Sequence, residues 1–152
     1  MKIVEAKIFF ESLKNNTDKK SELKIYESFI GILSDLKNKK LTTEQLQSNE
    51  EELDILDFKA DVKNREKYYA QKLERFKKYL RVNLSIVSQG YYSTLSISLG
   101  IAFGAAFGVV FDESIGITYG VSLGLVLGII IGKLLDLNAE KKNRVLKIKK
   151  KK

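Results

Sequence analysis

Ten positions step through the second half of this chain at intervals of four: Ser96, Gly100, Gly104, Gly108, Asp112, Gly116, Gly120, Gly124, Gly128 and Gly132. Eight of the ten glycines fall in this one series, so it is a pattern rather than a by-product of composition. On a helix of 3.6 residues per turn, residues four apart share a face. A face without Cβ atoms lets a second backbone approach closely, and in lipid such contact is a main source of helix association. A lone G-x-x-x-G in an apolar stretch is a weak signal. A run of this length in one register is a strong one.

The segment that carries the series is apolar. Leu95 to Phe111 and Ile115 to Gly132 contain no charge, and only Asp112-Glu113-Ser114 separates them. With Tyr91 to Thr94 added, the first stretch reaches about 20 residues, or roughly 30 Å as a helix, enough to cross a bilayer core. The second is equally long if Lys133 extends its charged head to the interface and Leu134-Leu135 join it. A transmembrane helical hairpin is expected over residues 91–135, with helices at about 92–111 and 115–135 and an outer turn of Asp112, Glu113 and Ser114. A buried soluble hairpin would need far more covering protein than this chain supplies. Neither stretch reads as a signal peptide, because both lie late in the chain, and Ile8-Phe9-Phe10 is too short for one.

Through Gly100 to Gly132 and the Tyr91-Tyr92 lead-in, about a quarter of its length, the chain resembles the bacterial glycine-zipper membrane proteins. The resemblance implies self-association in the membrane, and for some members pores or channels. It implies no particular activity.

The first apolar stretch has a second smooth side, Ser98, Ala102 and Ala106, beside a bulky stripe of Leu99, Phe103, Phe107 and Phe111. Two smooth faces predict two packing partners: the hairpin mate and a neighbouring subunit. The alternative is that the glycines only close the hairpin of a monomer. Ser96, Gly100, Gly104, Gly108, Gly116, Gly120, Gly124, Gly128 and Gly132 are therefore the candidate packing and oligomerisation residues. In an assembled ring, Ser96, Ser98, Thr118 and Ser122 could line a narrow polar path, with Asp112 and Glu113 at its outer mouth.

The net charge of +8 is unevenly placed. Residues 41–81 are balanced, and residues 82–138 hold Lys133 against Asp112, Glu113 and Asp136. Residues 1–40 sum to +3, and most of the excess lies in the last fourteen residues, eight basic groups against Glu140, within a basic tail expected over residues 136–152. Lys77, Lys78 and Arg81 precede the hairpin; Lys133, Lys141, Lys142 and Arg144 follow it. The positive-inside rule then puts both termini in the cytoplasm and the turn outside, across the cytoplasmic (inner) membrane. These basic residues, with Lys147, are expected to contact anionic lipid of the inner leaflet. Nucleic acid is a poorer partner, since no base-reading module accompanies the charge.

Before Gly90 the chain has no proline and a single glycine, which favours helices. Short amphipathic helices are expected over residues 1–40, interrupted at Asn15-Asn16-Thr17-Asp18. Leu23, Tyr26, Phe29, Leu33 and Leu36 then recur at helical spacing. Thr42 with Gln45, and Ser48 with Glu51, each match a capping box. Beyond them no break is evident, which predicts one long charged helix within residues 41–90. Ile55, Val62, Tyr69, Phe76 and Asn83 keep a seven-residue step there, a coiled-coil-like seam completed by Leu73, Leu80 and Val87 over its last turns. Acidic residues (Glu44, Glu50, Glu51, Glu52, Asp54, Asp57) open this stretch and basic ones close it, an order that suits a helix dipole.

The absence of cysteine and histidine removes disulfides, Cys/His zinc sites, thiol nucleophiles and imidazole bases. The clustered carboxylates come without a pocket or a metal-ligand pattern. The expectation is an all-α membrane protein, not an enzyme and without a cofactor or metal. Two roles fit it: a self-associating hairpin that forms a pore or perturbs the membrane, or an oligomeric anchor whose cytoplasmic helices recruit a protein partner.

Overall fold

The computed structural model describes residues 1–58, 63–111 and 115–148. The all-α expectation holds, with six helices among the described residues. The chain forms two units: Met1–Val87 together with Leu146–Lys152, and Ser88–Val145.

In the first unit, α1 (Ile3–Asn15) and α2 (Lys20–Asn38) flank the Asn-rich break. They run antiparallel, with Lys14 paired to Glu27 at 2.8 Å. α3 (Thr43–Ile55) starts at the Thr42 box: the hydroxyl accepts from Gln45 N–H at 3.2 Å, and Gln45 Oε1 accepts from Thr42 N–H at 3.0 Å. α4 (Arg65–Leu84) lies parallel to α2, as Ser21–Glu66, Tyr26–Tyr69 and Phe29–Phe76 all show. The core is aromatic at its centre. Phe10 stacks on Phe29 with centroids 4.1 Å apart and meets Phe58 edge-on at 4.9 Å. Such offset and edge-to-face pairs add to the gain from apolar burial itself.

The single long helix expected over residues 41–90 is instead two helices. α3 stops at Ile55 because the next residues turn inward: Leu56 and Phe58 are buried, and Asp57 between them takes a left-handed φ of 45°. Phe58 is fixed from both sides, since Tyr69 Oη donates to its carbonyl at 2.8 Å and its ring packs on Phe10 and Phe29. Burying two large side chains outweighs the few backbone bonds that helix continuation would add. A new start follows, where Asn64 Oδ1 accepts from Lys67 N–H at 3.0 Å and caps α4. The charge order acquires another meaning as a result. α3 and α4 are antiparallel, and acidic α3 pairs sideways with basic α4 through Glu52 and Arg75 at 3.1 Å.

The seven-residue step is likewise an internal face. Tyr69, Leu73, Phe76 and Leu80 are buried in the core of their own unit, Ile55 is exposed, and Val62 lies outside the described residues. α4 ends at Ser85, in the left-handed region at φ 54°, where Ile86 N–H bonds the Leu80 carbonyl. It therefore does not reach Gly90.

The segment read as a basic tail from residue 136 divides in the same way. Residues 136–141 continue α6 (Gly116–Lys141). Past Asn143, another left-handed residue, Val145–Leu146 (β2) pairs with Val87–Ser88 (β1) in a two-stranded sheet. Leu146 is 2% exposed and joins the core of the first unit, and Ile148 packs against that core. Gly31 is the one glycine of the first unit, and Ile148 explains it. A Cβ there would fall 2.6 Å from Ile148 Cγ2.

Among the described residues of this unit, one carboxylate is buried. Glu22, in the first turn of α2, accepts from the Thr17 hydroxyl at 2.9 Å and pairs with Lys19 at 3.3 Å. Burial pushes this carboxyl up, but the Thr17 and Lys19 bonds and the Lys19 charge outweigh it and hold it below its ordinary value. Tyr26 donates to the same carboxylate at 3.3 Å. Burial, and then the neighbouring Glu22 charge, push its phenol up to about 12.

Candidate functional site

The second unit is built on two apolar helices, α5 (Tyr91–Phe111) and α6, each long and apolar enough to cross a membrane. They pack as an antiparallel pair through the period-four series. A Cβ on Gly100 would overlap the Gly124 carbonyl oxygen, one on Gly104 that of Gly120, and one on Gly108 that of Gly116. The converse holds for Gly120 and Gly124 against Gly104 and Gly100. Nearer the open end, a Cβ on Gly128 would sit 2.5 Å from the Ser96 carbonyl oxygen, and one on Gly132 2.5 Å from Ser93 Cα. In every case the obstacle is backbone, which cannot rotate aside as a side chain can. The two backbones touch at each of these glycines, where a Cβ has no room.

Ser96 and the eight glycines are thus brought together as one interface, within the hairpin. Asp112, Glu113 and Ser114 lie outside the described residues. The second smooth face of α5, Ser98, Ala102 and Ala106, is exposed. Its serine is not a free polar group: Ser98 Oγ donates to the Thr94 carbonyl at 2.9 Å, as Ser122 Oγ does to Thr118 at 2.8 Å. Serine bonded back to the preceding turn presents little unsatisfied polarity to its surroundings. Beside the glycine contact runs an apolar groove of about 690 Å³, floored by the glycines and walled by side chains such as Leu99, Phe103, Leu123 and Leu127. Tyr119 also borders it and is 71% exposed.

The basic residues read as lipid contacts are divided between the units. Lys78, Lys133, Lys141, Lys142, Arg144 and Lys147 are exposed. Lys77 is half-buried and paired to Glu74 at 2.7 Å, and Arg81 is half-buried with an interaction of its own.

The sequence reading missed Asp136, counting it only as a charge. Its carboxylate lies at the open end of the hairpin and caps α5 from the other helix. Oδ1 accepts from Tyr92 N–H at 3.0 Å, and Oδ2 accepts from Ser93 N–H at 3.0 Å and from Ser93 Oγ at 2.6 Å. The first N–H groups of a helix have no partner within it, and a carboxylate there also meets the positive end of the helix dipole. Two signals pointed to it. Gly90, just before α5, has no side chain to act as a cap, and Asp136 stands four residues past Gly132, on the glycine stripe itself.

A family model described as glycine zipper membrane protein matches residues 88–137, which is the hairpin with its entry and exit. No curated protein and no solved structure matches the chain. Together with the two apolar helices, this similarity supports membrane association through a glycine-zipper hairpin.

Proposed function

We propose that this chain is a membrane anchor without a catalytic step, in which the α5–α6 hairpin crosses the cytoplasmic membrane twice and tethers the helical unit at the cytoplasmic face. The observation that carries this reading is the use of the glycines. They are consumed within one hairpin, so the stripe that would otherwise assemble a ring already has its partner. The serines bonded back to their own helices fit a surface turned to lipid rather than to a water-filled path. The presence of Ile86 and Leu146 in one core supports placing both ends of the hairpin on the same side of the membrane. The basic flanks, Lys78, Lys133, Lys141, Lys142, Arg144 and Lys147, support a cytoplasmic side facing anionic headgroups. The tethered unit would then present its surface to a protein partner.

A second reading, self-association with or without a pore, is favoured by the exposed small face of Ser98, Ala102 and Ala106, which matches the kind of surface on which membrane helices pair. Two measurements separate these roles. Liposomes containing the purified protein should retain a small dye, and its mass in detergent should be that of one chain at all concentrations. Dye release by the wild type that is lost in Gly104→Leu would establish the pore instead. Topology is read from Ser114→Cys, the sole thiol in that variant, which should react with an impermeant reagent added outside intact cells. Labelling only after lysis would reverse the orientation.

A further inference from the structure

The contact that joins α5 to α6 has a repeat of its own. Because small residues recur every four positions on both helices, sliding one helix past the other by four residues, about 6 Å, again sets glycine against glycine. One such slide opposes Gly100 to Gly128, Gly104 to Gly124 and Gly108 to Gly120. The opposite slide opposes Gly100 to Gly120 and Gly104 to Gly116. The packing that drives this hairpin together therefore discriminates poorly among registers. Coiled coils solve the same difficulty with one polar residue at a defined place.

We propose that Asp136 is the register latch of the hairpin. It is the next member of the α6 stripe after Gly132, and the first that is not small. A slide in one direction would bring Asp136 to the level now taken by Gly132. There a Cβ alone would lie 2.5 Å from Ser93 Cα, so a full aspartate side chain has no room. A slide in the other direction withdraws the carboxylate by about 6 Å, strips Tyr92 N–H, Ser93 N–H and Ser93 Oγ of their acceptor, and reopens the N-terminus of α5. The residue thus opposes one slide by its bulk and the other by its three hydrogen bonds. Asp136 touches no ligand in this role. It is a positioning residue, acting through the start of α5.

The chain has no native cysteine, so register can be read by disulfide trapping. Leu99 and Leu127 border the groove from opposite helices, with Leu123 and Ile131 one step to either side of Leu127. In detergent micelles, Leu99→Cys should cross-link mainly to Leu127→Cys while Asp136 is present. Asp136→Leu keeps the bulk and loses the acceptor, so cross-linking to Leu123→Cys should rise severalfold with no gain at Ile131→Cys. Asp136→Gly loses both, and cross-linking should rise at both positions. Asp136→Asn keeps the bulk and one acceptor oxygen and should stay close to the wild-type pattern. An unchanged preference for position 127 in both Asp136→Leu and Asp136→Gly would overturn the proposal. So would loss of helical circular dichroism in both, because a latch that only chooses among packed registers leaves packing intact.

Discussion

Glu22 and Tyr26 tie the stability of the helical unit to pH through two side chains a single helical turn apart. Glu22 has a folded pKa below its unfolded value, so its contribution is complete above the unfolded carboxyl range, about 4.3, and is lost as pH falls through the folded value. Glu22→Gln should lower Tm at neutral pH and flatten the acid limb of a Tm-against-pH profile recorded in detergent. Tyr26 has the opposite sense. Its folded pKa of about 12 exceeds the unfolded value, so stability is complete below the unfolded pKa and is lost as pH rises from there through about 12. Tyr26→Phe should shrink that alkaline loss. Tyr69, raised chiefly by burial, should leave a remainder. An alkaline limb identical in Tyr26→Phe and wild type would show that the phenol stays neutral for no energetic reason.

At the scale of elements, the two apolar helices are held by absence of side chains, and that makes their sensitivity directional. A Cβ on Gly124 meets the Gly100 carbonyl, so Gly124→Ala should force the backbones apart and cost about 1–3 kcal/mol, read as easier unfolding in a detergent titration followed by circular dichroism. Ala106→Leu adds a larger group to the exposed side of α5 and should leave that unfolding unchanged. A change in oligomer mass with Ala106→Leu would instead identify this face as a subunit contact. The hairpin was legible because both of its determinants, apolar length and a four-residue glycine step, are periodic in the sequence. The break between α3 and α4 was not. Neither proline nor glycine marks it, and its cause is the burial of Leu56 and Phe58, the Phe58 ring packing on Phe10 of α1 and Phe29 of α2 while Tyr69 of α4 holds its carbonyl. The seven-residue step of Tyr69 and Phe76 failed as a guide for a related reason: a helix that faces its own neighbours and one that faces a second chain write the same pattern. Asp136 was hidden in another way, as its partners lie more than forty residues upstream.

Over the whole molecule, the telling feature is a core assembled from both sides of the hairpin. Leu146 is as deeply buried as residues of α1 to α4, and Leu146→Ala should destabilise the helical unit by about 2–5 kcal/mol, while Lys147→Ala, on an exposed neighbour, should have no such effect. Equal melting of the two variants would show that the unit closes without this strand. The arrangement also has a consequence in time. Residues 1–87 leave the ribosome first, but the piece that completes their core is translated only after both apolar helices. In a hairpin that crosses twice, that piece returns to the same compartment. If only one helix inserts, Leu146 and Ile148 are stranded across the membrane, and the waiting unit keeps an open, protease-sensitive seam. With the hairpin crossing twice as proposed, closure of the helical unit would report that insertion has finished, and a quality-control protease could distinguish correctly threaded copies from half-threaded ones at this unit alone.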